Sequence, residues 1–552
     1  MPAPPHDDSL AALSQDFLTS LYDAHPTLAA SLGLHEYDGR VPNLSERARA
    51  DRASTLRSQA SRAAALRPSS GLSADEQHDL TLLGAAFDEE LFELESLRDF
   101  ERNPLAYAGL IDVSNYVKRD YAPLDRRVAA LTRHLRQIPD VLATARATLR
   151  PPLPRPFVET ALDVYRGTVA FHEGDLPAAV RAAETPEVRS AFERANAAAL
   201  DALRSFIEHL GGDVRTGATA GFAIGEGRFR TMLRAGEMVD IELDRLLEVG
   251  RRDLAHNGER LRAACEAAAP GMAIRDAIKR QSSQHPPAER LIDEAAQVLE
   301  ELRAFVEGTG LVSIPSAVRC RVEPTPPFAR WAFAMMDTAG PFEASSESFY
   351  YVTPPEPGWS AEQTEEWLTK FDYGTLRDVG IHEVYPGHYV HFLHVRQVGR
   401  PLRQVLTSYA FVEGWAHDCE QLMLEQGFRP HDSALRIAQA SEALLRDVRF
   451  LAAIGMHTRG MRLEDATRLF MEHAYLEPLP AEKEAVRGTF DPGYLNYTLG
   501  KLMMRKLRDD VRARDGARFT LRGFHDTLLA LGAPPLPLAR RTLLGDDTGP
   551  LL

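Results

Sequence analysis

Apolar residues recur at three- and four-residue intervals over most of the chain, the spacing that lines one face of an α-helix. The pattern predicts helices over Leu10 to Ala24, Glu76 to Leu97, Arg127 to Leu149, Leu162 to Phe171 and Thr185 to Leu210. Pro151-Pro152 stops the third of these, and Gly211-Gly212 ends the last, as a glycine past a helix C-terminus does. Ala218 to Gly227 reads as a loop with short extended pieces. Its glycines lack the GxGxxG order and a basic partner, so they make no phosphate cradle. Helical spacing resumes from Arg228 to Ala268 and from Ala288 to Glu307. It runs again from Ala361 to the C-terminus, with breaks near Pro386, Pro430, Pro478-Pro480 and Pro492-Gly493.

Residues 310–356 carry a different pattern. Leu311 to Ile314, Val318 to Val322 and Ser348 to Thr353 read as short strands, the last ending at Pro354-Pro355. The expected fold is mainly α, large and two-lobed, with a small β-sheet just upstream of the chain's most suggestive motif. Residues 1–210 form an N-terminal helical region and 211–552 a catalytic region, together one integrated catalytic unit.

Composition narrows the class. Hydrophobic residues make up 44% and charged residues 26%, the profile of a globular protein. Lys plus Arg is 64 and Asp plus Glu is 79, a formal charge of −15 that repels nucleic-acid phosphate. The three cysteines, Cys265, Cys320 and Cys419, form no CxxC pair and fit a reducing compartment. The first eight residues lack the basic start and apolar run of a signal peptide, and no apolar stretch is long enough to span a membrane. A soluble, cytoplasmic protein is expected.

The chemistry centres on His382-Glu383-Val384-Tyr385-Pro386-Gly387-His388. In the common HExxH motif two histidines four residues apart share a helix face and bind zinc, and the glutamate between them activates the water. Here the spacing is six, and six steps of an ideal helix turn through about 600°, roughly the opposite face. A regular helix cannot bring His382 and His388 to one metal. Pro386 lacks an N–H and clashes with the carbonyl four residues back, while Gly387 accepts backbone angles closed to other residues. A distorted helix over Tyr385 to Gly387 is therefore required; a regular backbone there removes the ligand assignment.

Twenty-five residues on comes Glu413-Gly414-Trp415-Ala416-His417-Asp418-Cys419-Glu420, within a helical stretch from Ser408 to Glu425. Zinc favours two histidines and a carboxylate with a fourth position open, and Glu413 is the choice for the third ligand. His417 and Glu420 share its face, as a further ligand or as groups that orient the ligands. Trp415 between small residues indicates close packing rather than a solvated acidic face.

These motifs resemble the bacterial family called domain of unknown function 885. The resemblance spans nearly the whole chain. It includes Ser31-Leu32-Gly33-Leu34-His35-Glu36-Tyr37-Asp38, Phe222-Ala223-Ile224-Gly225-Glu226, Phe349-Tyr350-Tyr351-Val352 and the run from Pro492 to Lys501. It implies a mostly helical, metallopeptidase-like fold. Glu413-Gly414-Trp415-Ala416 is also similar to the Glu-Gly-Phe-Ala of aminopeptidases whose third zinc ligand is that glutamate. By resemblance His382, His388 and Glu413 bind zinc and Glu383 is the general base. The chain departs from the family at Asp418, often Tyr, and at His391, often Gln.

Amide hydrolysis also needs a donor to the tetrahedral oxyanion. Tyr497 is the first candidate and His457 the second, followed by Arg487 and Tyr494. Tyr350 and Tyr351 lie on a strand that, at a sheet edge, would pair with an extended peptide. The reading is a zinc-dependent hydrolase, a peptidase for short peptides. The alternatives are a zinc amidase or esterase for a small non-peptide metabolite, and a non-catalytic binding protein, against which the intact Glu383 argues.

Overall fold

A computed structural model describes residues 9–67, 71–326, 330, 333–545 and 549–552. The chain divides into two compact units. One comprises residues 1–224 together with Gly340–Ser345, and the other Gly225–Ala339 with Ser346–Leu552. The first unit thus ends beyond the 210/211 division read from the sequence.

Helices dominate both units, largely where apolar periodicity places them. In the first unit they run over Leu10–Ala24, Ala74–Leu91, Arg155–Glu173 and Pro186–His209. Arg127 to Leu149 is not one helix. It is split into Leu124–Leu135 and Ile138–Thr148, with Pro139 in the first turn of the second, where a missing N–H costs nothing. The helix ending at His209 passes into a wider turn, Leu210–Val214, kinked at Gly212. Tyr107, Leu131, Tyr165, Leu203 and Phe206 share the core of this unit.

In the second unit, long helices Leu243–Ala268, Ser433–Thr458 and Asn496–Asp515 are tied by a buried polar network. Lys501 Nζ lies 3.2 Å from Asp253, and Asp447 accepts from Asn257 at 2.7 Å and Thr498 at 3.2 Å. The break read near Pro478-Pro480 falls between the helices Leu463–His473 and Pro478–Phe490, and the two prolines sit in the first turn of the second.

The β region is confirmed in place and corrected in detail. The described residues contain one three-stranded sheet: β1 (Arg321–Pro324), β2 (Ala334–Asp337) and β3 (Phe349–Val352), in the order β1-β3-β2. β1 runs parallel to β3 and β2 antiparallel. Leu311 to Ile314 is not a strand, because side chains take up its backbone groups. Asp526 accepts the Ser313 N–H at 2.8 Å, while the carbonyls of Leu311 and Ser313 meet the rings of His525 and His394 at 2.7 and 2.9 Å. Tyr350 and Tyr351 sit on the central strand, both edges of which are paired, so β3 itself cannot capture a peptide by backbone pairing. No helix among the described residues is long and apolar enough to cross a membrane.

Candidate metal centre

The helix Tyr373–Glu383 delivers His382 and Glu383. Asp372 caps it, its Oδ1 accepting the N–H groups of Gly374 at 2.9 Å and Thr375 at 3.1 Å. The helix stops at Glu383, and a new one, His388–Gln397, starts at the second histidine. The predicted distortion is thus a complete break. Val384 and Tyr385 both donate to the Gly380 carbonyl, at 3.0 and 3.1 Å, and Gly387 donates six residues back to Ile381 at 3.0 Å. A Cβ on Gly387 would lie 1.7 Å from the His382 carbonyl oxygen, so only glycine fits. Trp415 fixes the break from outside, its indole N–H donating to the carbonyls of Pro386 at 3.0 Å and Gly387 at 3.3 Å.

Glu413 arrives on the helix Tyr409–Glu425. Gly414 of this helix and Gly500 of Asn496–Asp515 allow the two backbones to touch. A Cβ on Gly500 would meet the Ala410 carbonyl oxygen at 1.8 Å. The buried Glu237 caps the N-terminus, accepting from the Ser408 hydroxyl, the Ala410 N–H at 3.1 Å and Asn496 at 3.2 Å. Burial raises the Glu237 pKa above the usual carboxylate range, and the helix N-terminal donors work against that rise.

The break brings the two histidines together. Their rings stand 4.8 Å apart at 88°, and both Nε2 atoms lie 3.5 Å from Glu413 Oε2. One ligand atom from each of His382, His388 and Glu413 falls within 4.8 Å of the others. Tetrahedral zinc with bonds of about 2.0 Å sets its ligand atoms about 3.3 Å apart, so the cluster has the spacing to hold such a cation. Glu413 Oε2 is buried and has no hydrogen-bond partner.

A second layer orients the first. His382 Nδ1 meets Glu420 Oε1 at 2.7 Å, which leaves Nε2 for the cluster. The same carboxylate meets His417 Nδ1 at 2.9 Å and Arg446 at 3.2 Å. Burial alone would depress His382, yet Glu413 and Glu420 hold its pKa well above the ordinary histidine value. Burial would raise Glu413, but His388 and His382 hold it well below. His417 is pushed down to about 3, chiefly by burial, so it is a neutral orienting group, and its contact runs to Glu420 rather than to the three-ligand cluster.

Glu383 is partly exposed beside His382, and its charge bears on Tyr350 of β3, which brings the sheet beside it. Tyr497 is partly buried, with the guanidinium carbons of Arg446, Arg449 and Arg487 5.7, 5.3 and 5.9 Å from its ring. Arg446 thus links it to Glu420. His457 is placed elsewhere. It is bonded to the Gly488 carbonyl at 2.7 Å, about 16 Å along the helix from Arg446. Tyr494 is fully buried against Gly488. His391 is bonded to the Gly532 carbonyl at 3.3 Å, and Asp418 pairs with Arg505 and Arg508 at 3.0 and 3.1 Å. Both side chains are thus committed to internal contacts. Cys419 is a buried thiol whose pKa burial raises well above the ordinary value, which disfavours a nucleophilic thiolate.

Sequence reading missed Arg446, Tyr409 and Glu237. Tyr409 stands one helical turn before Glu413, a spacing that could have been read. Arg446 and Glu237 lie on separate helices with no motif around them.

Two solved structures share the fold. A candidate lipoprotein of unknown function from Shewanella oneidensis matches with TM-score 0.80 and 23% identity, over 97% of this chain and 100% of that one. A candidate lipoprotein from Colwellia psychrerythraea matches with TM-score 0.82 and 15% identity, over 97% and 98%. No curated protein matches the chain. Residues 26–543 match the family described as bacterial protein of unknown function (DUF885), and the chain belongs to it.

Proposed function

We propose that the chain is a zinc-dependent hydrolase of amide bonds, most simply a peptidase for short peptides. The observation that carries this reading is the convergence of His382 Nε2, His388 Nε2 and an otherwise unpartnered Glu413 Oε2. A zinc ion held there supplies Lewis acidity to the substrate carbonyl and makes water acidic near neutral pH.

The protein's own groups do the rest. Glu383 takes the proton from the attacking water and returns it to the leaving amine. Glu420 keeps His382 in the tautomer that offers Nε2. The Tyr497 hydroxyl donates to the oxygen that becomes negative in the tetrahedral intermediate.

Replacing Glu383 with Gln removes the base but no ligand. Turnover of short peptides by zinc-loaded protein is expected to fall by about 100- to 10,000-fold, with one zinc per chain retained by elemental analysis. Stripping the metal with a chelator should abolish turnover and adding zinc should restore it. Undiminished turnover by E383Q rejects the mechanism.

A further inference from the structure

Beside the metal cluster lies a partly exposed guanidinium. Arg487 sits on the helix Pro478–Phe490. Its Nε and Nη2 meet Asp491 Oδ2 at 3.2 and 3.1 Å, and Nη2 also donates to the Tyr409 hydroxyl at 3.3 Å. Tyr497 is its remaining polar neighbour. A third of the Arg487 side chain is exposed.

Two contact paths connect this group with the cluster. Tyr409 stands four residues before Glu413 on one helix face, within about 6 Å between Cβ atoms, and the Glu413 charge bears on its hydroxyl. On the other side, Tyr497 is flanked by Arg487 and by Arg446, which touches Glu420 and lies 3.4 Å from His382 Nδ1. The rings of Tyr409 and Tyr497 meet at 5.7 Å, so the paths close on each other. Arg446 is committed to the buried Glu420, and Arg449 to Glu484 through two bonds at 2.7 and 2.8 Å. Arg487 alone among the three is partly open, a third of its side chain exposed where the other two are buried. An i,i+4 pair such as Arg487–Asp491 contributes little stability, which does not account for a cation seated between two tyrosines.

The chemistry of that position is specific. The Tyr409 hydroxyl, which accepts from Nη2, donates to Asp491 Oδ2 at 3.5 Å, so the guanidinium itself is the group left to meet a carboxylate. In a peptide, the carboxylate of the residue after the scissile bond lies about 4 Å from the scissile carbonyl carbon.

We infer that Arg487 binds the free carboxylate of the substrate, so that the bond cut is the one preceding a C-terminal residue. The inference rests on the amide-hydrolase reading above and narrows its substrates to dipeptides, peptides trimmed from the C-terminus and N-acyl amino acids.

The test uses zinc-loaded full-length protein and pairs of N-blocked dipeptides, each as the free acid and as the C-terminal amide. The free acids should be cleaved with roughly 100-fold higher kcat/KM. R487Q should collapse that ratio to within about threefold. Equal turnover of acids and amides by wild type, or a preference that survives in R487Q, overturns the inference while leaving the hydrolase reading intact. If no substrate turns over, the hydrolase reading fails, and binding still decides the role of Arg487. Calorimetry with 2-benzylsuccinate, which offers one carboxylate to the cluster and one to Arg487, should give at least about tenfold weaker binding in R487Q. Equal binding rejects the role.

Discussion

Gly387 shows how one residue sets the ligand geometry. Its Cβ position is filled by the His382 carbonyl oxygen, with the Ile381 carbonyl oxygen 2.5 Å away. Gly387→Ala must push the break open, and a misfit against backbone costs about 1–3 kcal/mol. Because the contact is with His382 itself, the ligand pair should suffer most. Zinc affinity is expected to fall by more than about tenfold, read by competition with a chromogenic chelator. Wild-type affinity in the alanine variant would show that the two histidines do not depend on the break. The same local logic explains what was legible beforehand. His382, Glu383, His388 and Glu413 stood out because a zinc site would demand particular residue types and because Pro386-Gly387 made the six-residue spacing workable. Arg446 was invisible, since its role comes from a carboxylate 26 positions away in the chain and from no pattern of its own. His457 was misleading for the converse reason: a histidine on a buried helix face satisfies itself with a nearby carbonyl, here that of Gly488.

The helix carrying Glu413 is positioned at its first turn and along its flank. Glu237 satisfies the Ala410 N–H, the Ser408 hydroxyl and Asn496 in a fully buried setting, while Gly414 and Gly500 let the neighbouring helix approach. Glu237→Ala leaves those donors without an acceptor, at about 3 kcal/mol or more. It also loosens the turn that ends in Glu413. A lower thermal midpoint together with weaker zinc binding is expected; an unchanged midpoint would sink the capping argument. Elements of this kind were readable as helices, because a one-faced apolar stripe repeats for many residues. Strands were harder. Ala334–Asp337 (Ala-Met-Met-Asp) shows no alternation and pairs only because β3 offers an edge. Leu311 to Ile314 has the composition of a strand, yet Asp526, His525 and His394 take its backbone groups. Four-residue strands are decided by their partners, and partners are not local in sequence.

Across the molecule several imidazoles are buried in their neutral form. His134, in the first unit, lies between the Tyr116 hydroxyl at 3.2 Å and the Leu110 carbonyl at 2.9 Å, and burial pushes its pKa down to about 4. His391 and His525, in the second unit, are pushed down to about 3 and about 4 by the same cause. An unfolded histidine titrates at about 6.5. Above that value His134 is neutral in both states and its contribution to stability is complete. As the pH falls towards 4 the unfolded chain takes up a proton that the folded protein refuses, and stability is lost, by about 2 kcal/mol at pH 5. Glu93 opposes this trend. Burial first, then Asp99 and Glu89, raise its pKa to about 7, so it is protonated in the folded state before it is in the unfolded one. The total pH dependence is therefore a sum of opposite signs, and a single profile of the wild type cannot isolate one group. A difference between variants can. His134→Gln keeps hydrogen-bonding capacity but does not titrate. Its stability deficit against wild type, measured by urea unfolding, should shrink by about 2 kcal/mol between pH 7 and pH 5. A deficit that stays constant over that range would show that His134 is protonated inside the fold and that burial does not set its charge.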